Sequence, residues 1–216
     1  MLFRSERLDL PPDLHARCNP RSSTGRLDIF SRVLADGASR FDEIPPGYAG
    51  PLYLEVIPRS FPIRIRAGQS LHQIRFATGE ARLGDAELAA LGEPLALDDA
   101  GRVLTPGELR IEGGLLLRVS LEAPPEGPPV AAYRARRFSG IVDLALPGAH
   151  AAEEFWEALP PPKAGALVLE PEVFYLLASL DRVVVPPTLA AEMAPFDVGL
   201  GELRTNYAGF LDRKST

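Results

Sequence analysis

The chain has almost no cysteine. Cys18 is the only one in 216 residues, so no intrachain disulfide can form and the fold does not depend on an oxidising compartment. It has no apolar run approaching the roughly 18 residues that mark a membrane span, and the opening Met1–Ser5 lacks the apolar core of a secretion signal. A cytoplasmic protein without a membrane partner is the expectation. Positive charge is also scarce: 23 Lys and Arg face 29 Asp and Glu, for a net charge of −6. That removes the general reason to expect binding to nucleic acid and leaves room for a local basic pocket at most. Phosphate-loop and dinucleotide glycine patterns are missing, as is any Ser/His/Asp hydrolase signature. A zinc ion of the His/Cys/Cys kind needs H-x-E and P-C-x-x-C, and one cysteine with the scattered His15, His72 and His150 cannot supply it. Cys18 has no base near it in sequence and reads as a packing residue.

What is present fits a soluble globular protein: 46% hydrophobic and 24% charged residues, enough apolar content for a real core. The 22 prolines and 19 glycines argue against a helical bundle. Strand patterns dominate. Pro51–Ile57, Phe61–Ile65 and Ser70–Phe76 alternate with the period of two expected of half-buried strands. Leu115–Leu121, Ala166–Leu169 and Phe174–Ser179 are further strand candidates. Helices are expected to be few and short: Asp85–Leu91, with Asp85 as N-cap and Gly92 as stop, and Ala151–Leu159, ended by three prolines. Ala123–Pro129 reads as an extended connector.

One element recurs. Arg7-Leu8-Asp9-Leu10-Pro11-Pro12-Asp13-Leu14-His15-Ala16 has a counterpart in Arg182-Val183-Val184-Val185-Pro186-Pro187-Thr188-Leu189-Ala190-Ala191. The interval is longer than a solenoid unit and points to two incomplete tandem copies of one domain. Residues 6–135 are expected to hold the later part of the first copy and 136–211 the earlier part of the second. The segments 1–5 and 212–216 look foreign to their surroundings and read as non-native ends.

Three places could carry chemistry. Arg21-Ser22-Ser23-Thr24-Gly25-Arg26 gathers two guanidinium groups, three hydroxyls and a glycine, a donor set suited to phosphate; the plain alternative is a polar surface turn. Glu55 lies inside the apolar run Leu52–Ile57. Strand glutamates mostly face solvent, whereas a pocket would suit this one to general acid–base work. Tyr133-Arg134-Ala135-Arg136-Arg137 sets three arginines beside an aromatic, either to close over phosphates or as a solvated loop.

The order of these segments is distinctive. A strand with Pro-Pro (Leu8–Pro12) leads to Arg21-Ser22-Ser23 and Arg26, then to the turn Phe41–Gly50. Pro51-Leu52-Tyr53-Leu54-Glu55 follows, and then Arg66-Ala67-Gly68-Gln69-Ser70-Leu71-His72-Gln73-Ile74-Arg75-Phe76. This resembles the core of the dCTP deaminase family of the dUTPase-like superfamily, in its long, double-length bacterial form. The resemblance implies a mostly β fold of the distorted-barrel (β-clip) type. It implies hydrolytic deamination of dCTP to dUTP and ammonia for pyrimidine deoxynucleotide supply. Glu55 then stands for the catalytic glutamate, and Ser22 and Arg26 for residues that orient the water. Arg21 and Ser23 stand for triphosphate contacts, and Asp42, Tyr53 and Leu54 for further nucleotide contacts, with Asp42 at the sugar. Tyr133 and Arg136 fall where the family closes a segment over the phosphates. The implied cofactor is Mg2+ carried by the triphosphate, without zinc, and the implied assembly is a homo-oligomer, a trimer or pseudo-trimer. The turn Asp42-Glu43-Ile44-Pro45-Pro46-Gly47 is longer than the family's Asp-Pro-Gly. The second copy has Met193–Gly199 where Arg-Ser-Ser would stand, so its site reads as degenerate. A dUTP pyrophosphatase, a bifunctional deaminase–pyrophosphatase, and a non-catalytic nucleotide-binding or assembly module are the other functions compatible with these motifs.

Overall fold

A computed structural model describes residues 2–80, 82–193 and 210–211. The chain divides into two compact units. The first comprises Met1–Ala81, Phe138–His150 and Glu192–Phe210; the second comprises Arg82–Arg137, Ala151–Ala191 and Leu211–Thr216.

The first unit opens with strands β1 (Leu2–Asp9) and β2 (Leu14–Pro20), a one-turn helix α1 (Ser22–Arg26), and β3 (Ile29–Ala35). Then come β4 (Glu43–Ile44), β5 (Ala49–Pro58), β6 (Ile63–Arg64) and β7 (His72–Thr78). Two antiparallel three-stranded sheets result, ordered β1-β5-β3 and β4-β2-β7. Period-two alternation decides which side chains are buried. On β3, Ile29, Ser31 and Val33 point inward while Phe30, Arg32 and Leu34 point away; on β5, Leu52 and Val56 are buried. The core gathers Ala16, Cys18, Val33, Ile44, Tyr48 and Leu52, with a neighbouring cluster of Ile29, Val56 and Leu71; Leu54 packs against both.

The turn into β5 needs its glycines. Gly47 has φ +68°, a left-handed conformation that glycine adopts without steric cost. Gly50 faces the Tyr48 ring: a Cβ there would lie 2.7 Å from the Tyr48 hydroxyl oxygen. That hydroxyl donates to the Pro51 carbonyl at 2.5 Å and accepts from the Asp36 backbone N–H at 3.2 Å, so a buried ring ties the turn to the end of β3.

The second unit holds a short helix α2 (Asp85–Ala89) and strands β8 (Ala96–Leu97) and β9 (Ala132–Ala135). After β10 (Val142–Asp143), which belongs to the first unit, come α3 (Ala152–Phe155), β11 (Trp156–Leu159), β12 (Tyr175–Leu177) and β13 (Arg182–Val183). Strands order as β11-β9-β12, with β13 pairing β8. Within the first unit, β10 pairs in parallel with β6. Buried Asp143 accepts a bidentate grip from Arg66 at 2.5 and 2.8 Å and a longer bond from Arg64 at 3.4 Å. Arg66 holds the Asp143 carboxyl down at about 2.

The mostly β expectation holds, with 34% strand against 7% helix. Several elements differ from the sequence reading. Leu115–Leu121 forms only isolated bridges, Ile111 to Leu115 and Val119 to Ser179; Leu117 and Val119 are exposed, so its alternation has no core to serve. Ala166–Leu169 is not a strand, and Val168 stands 83% exposed. The helix expected over Ala151–Leu159 lasts one turn, because Trp156 onward pairs with β9 as β11; cross-strand pairing overrides a weak local preference. The basic cluster from Tyr133 is only partly a loop: Tyr133–Ala135 belong to β9, the middle strand of its sheet, and Arg136 and Arg137 follow it outside any strand. The segment Met193–Gly199, apart from Met193, and the end 212–216 lie outside the described residues. No helix among the described residues is long and apolar enough to cross a membrane.

Candidate active site

The Arg-Ser-Ser segment grows directly out of β2. Asn19-Pro20 closes the strand, Arg21 turns the backbone (φ −65°, ψ 150°), and Ser22 begins α1. One carbonyl anchors this turn: Leu71 O accepts the Arg21 backbone N–H at 3.0 Å and the buried Thr24 hydroxyl at 2.9 Å. Arg21 Nη1 adds a longer bond to Ser70 O at 3.4 Å. Thr24 and Gly25 therefore face inward while Arg21, Ser22, Ser23 and Arg26 are exposed. What was readable as a plain polar turn is a helical turn with its buried side fixed and its hydroxyl and guanidinium side free to solvent.

Helix α1 packs against β3, and β3 pairs with β5 so that Arg32 lies directly opposite Glu55. Glu55 points away from the core, on the face shared by Tyr53, while Leu54 points into it. It is half-buried rather than free: its side chain is 27% exposed, and Arg32 Nε donates to its Oε2. The Arg32 guanidinium in turn lies over the Phe41 ring, 3.7 Å from the centroid, and 5.4 Å from that of Phe30. Neither Arg32 nor the two rings stood out in the sequence. The available signal was the outward set Phe30, Arg32, Leu34 on a strand whose alternate residues are buried.

Asp42, next to Phe41, is committed to the backbone. Its Oδ1 accepts from Val33 N at 2.7 Å, its N–H donates to Val33 O at 2.9 Å, and its carbonyl accepts from Cys18 N at 2.8 Å. It holds a left-handed φ of +62°, which Asp tolerates better than most residues. Burial pushes its carboxyl up to about 6, while the Val33 N–H and Arg32 pull the other way. Burial together with Asp42 and Glu6 raises the Cys18 thiol to about 12, which suits a packing residue rather than a thiolate nucleophile. His72 donates or accepts at Ser31 Oγ through Nε2 at 2.7 Å, and burial lowers it to about 4.

Tyr133 and Arg136 belong to the second unit. Tyr133 is a half-exposed residue of β9. Arg136 Nε donates to the carbonyls of Glu153 at 2.9 Å and Trp156 at 3.3 Å. Its neighbour Arg134 pairs with Glu157 at 2.7 Å and with Glu170. The structure thus brings Glu55, Tyr53, Leu54, Asp42 and the Arg21–Arg26 turn into one unit, with the Leu54 side chain turned into the core, and puts Tyr133 and Arg136 in the other. Among the described residues, no group of three His, Cys, Asp or Glu side chains gathers as a metal site. The donors of the α1 turn fit phosphate oxygens rather than a cation.

Residues 2–80 match the family description "2'-deoxycytidine 5'-triphosphate deaminase, N-terminal domain", and residues 92–214 match its C-terminal domain. Comparison with curated proteins gave no match. Among solved structures, the crystal structure of 2'-deoxycytidine 5'-triphosphate deaminase from Agrobacterium tumefaciens superposes with a TM-score of 0.86 at 42% sequence identity, over 98% of this chain. The chain spans 60% of that protein's length. With one domain description covering more than half of its residues and this likeness beside it, the chain belongs to the 2'-deoxycytidine 5'-triphosphate deaminase family.

Proposed function

We propose that the protein hydrolyses dCTP to dUTP and ammonia, without zinc, in the cytoplasmic supply of pyrimidine deoxynucleotides. One observation carries this reading. A half-buried glutamate on β5 stands opposite the strand against which an exposed hydroxyl- and guanidinium-rich turn packs, in a chain 42% identical to a solved dCTP deaminase. Glu55 takes a proton from a water as its oxygen attacks C4 of the cytosine and the C4=N3 π pair moves onto N3. It then hands that proton to the amino nitrogen as the C4–N4 bond breaks and the N3 pair re-forms C4=N3; the hydroxyl proton left on O4 moves to N3, so that dCTP and water become dUTP and ammonia. Ser22 and Arg26 orient the water and the carboxylate, and Arg21 and Ser23 bind the triphosphate. Asp42 and Tyr53 line the nucleoside, whereas Leu54, whose side chain packs into the core, is left only its backbone to offer it. Tyr133 and Arg136 are assigned to phosphate closure, which requires Arg136 to release the carbonyls it holds here. Mg2+ enters on the triphosphate and screens its charge.

The residues of the second repeat serve as structure in this reading, completing a trimer or pseudo-trimer. The test is ammonia release from dCTP by the purified full-length protein and by Glu55→Gln. The variant should lose about 10²–10⁴-fold in kcat, the usual worth of a positioned general base. Equal turnover would remove Glu55 from the mechanism, and pyrophosphate release from dUTP would reassign the site to a pyrophosphatase.

A further inference from the structure

The side chain that meets Glu55 was not assigned any role by the sequence motifs. Arg32 and Glu55 are direct cross-strand partners in the antiparallel β3–β5 pair, the arrangement that brings side chains closest across a sheet. Both are half-buried, 32% and 27% exposed. Exposed ion pairs are weak largely because two long side chains must be immobilised to form them. Here that immobilisation has another source. The guanidinium plane rests over the Phe41 ring, with Phe30 beyond it, an attraction that fixes the arginine before the carboxylate is counted. The backbone that carries the half-exposed Phe41 is anchored next door, because Asp42 makes two hydrogen bonds with Val33 and a third with Cys18.

We propose that Arg32 is a positioning residue: seated on the Phe41 ring with Phe30 farther off, it holds the Glu55 carboxylate in one orientation for reaction. This rests on the reading of Glu55 as the general base. The bond from Arg32 Nε engages Oε2 of Glu55, so Oε1 is the oxygen left to take the proton of the attacking water. In the first step, the water's O–H bond breaks as its proton moves to Oε1, its oxygen joins C4 and the C4=N3 π pair moves onto N3. In the second, that proton leaves for the departing nitrogen as C4–N4 breaks and the N3 pair re-forms C4=N3, after which the remaining hydroxyl proton moves from O4 to N3. Arg32 stays on Oε2 through both and gains or loses no proton. A carboxylate free to rotate would present either oxygen, at varied distances, and misplacement of about 1 Å can lower a rate 10²-fold.

The experiment measures kcat and KM for dCTP in the full-length protein and in Arg32→Gln, Arg32→Lys, Phe41→Leu and Glu55→Gln. Arg32→Gln should lower kcat roughly 10- to 100-fold with KM within about threefold of the parent, because the orientation matters in the transition state and not in nucleotide binding. Arg32→Lys keeps the charge but loses the planar fork, so it should recover only part of kcat. Phe41→Leu should fall on the same side, with a smaller loss. Turnover at the parent rate in Arg32→Gln, together with a dead Glu55→Gln, would overturn the role of Arg32 and leave that of Glu55 standing. Parent-like turnover in Glu55→Gln would overturn both. Should Arg32→Gln fail to fold, Arg32→Lys decides, and a kcat equal to the parent's would refute the need for the guanidinium.

Discussion

Between pH 4.5 and 6 two buried groups of the first unit should pull stability in opposite directions and nearly cancel. Burial raises the Asp42 carboxyl from its ordinary 3.8 to about 6. The fold therefore favours the protonated acid. Asp42's contribution is complete below its unfolded value and is lost as pH rises through about 6. His72 behaves oppositely: burial lowers it from 6.5 to about 4, the fold favours neutral imidazole, and its contribution is complete above the unfolded value and lost as pH falls toward 4. Each unit of pH inside such a window changes stability by about 1.4 kcal/mol. Allowing for partial titration at the two ends, each swing amounts to about 1.5 kcal/mol between pH 4.5 and 6. The parent protein should thus look almost insensitive to pH there, although neither group is. Asp42→Asn keeps an acceptor for Val33 N–H and tolerates the left-handed backbone, but it does not titrate. Its stability should climb by about 1.5 kcal/mol from pH 4.5 to 6, driven chiefly by His72. His72→Gln should fall by a similar amount over the same range. Urea unfolding at the two pH values reads both, since about 1.5 kcal/mol moves a midpoint by roughly 0.5–1.5 M at ordinary sensitivities. An Asp42→Asn protein with the same midpoint at both pH values would refute the burial of His72, and a His72→Gln protein with the same midpoint that of Asp42.

Two further substitutions test how the site is carried. Gly50→Ala puts a methyl 2.7 Å from the Tyr48 hydroxyl oxygen and 2.9 Å from the ring carbon that bears it. Displacing that buried ring and its two bonds should destabilise by about 1–3 kcal/mol, read as a lower thermal midpoint; an unchanged midpoint would mean the turn has slack. Thr24→Val removes the hydroxyl that donates to Leu71 O at 2.9 Å. The loss should be about 1 kcal/mol and should also weaken nucleotide binding by loosening α1, so unaltered dCTP affinity would separate α1 from the phosphates.

Legibility in the sequence followed the kind of constraint behind each element. Pro51–Ile57 and Ser70–Phe76 were readable because their alternation meets a core on one side: Leu52 and Val56 are buried in β5, and β7 pairs along the whole of β2. Strand β3 was not noticed, although Ile29, Ser31 and Val33 alternate inward, because a serine and an arginine interrupt its hydrophobicity. Leu115–Leu121 has strand-like composition but no partner strand over most of its length, so composition alone misled. The Tyr133–Arg137 cluster is compatible in sequence with a cover for phosphates or a solvated loop, because its arginines are numerous and show no local partner. In the fold, Arg134 and Arg136 spend those charges on Glu157, Glu170 and two carbonyls, and such pairing between residues distant in sequence leaves no local trace.

The same distinction separates the two halves of the candidate site. Arg21-Ser22-Ser23 and Glu55 are recognisable as letters because their spacing is local and fixed. What orients them is not. The α1 turn takes its position from one carbonyl, Leu71 O, which lies some fifty residues further along the chain and accepts two bonds at once. Glu55 takes its orientation from Arg32, and Arg32 from Phe41, through a strand register that only the folded sheet defines. Because β3 is both the strand that α1 packs against and the strand that carries Arg32, a small shift of β3 would displace the Arg21–Arg26 turn and the Glu55 carboxylate together. The bonds that lock Val33 to Asp42 within that strand therefore hold the geometry of the candidate site as well as the stability of the fold.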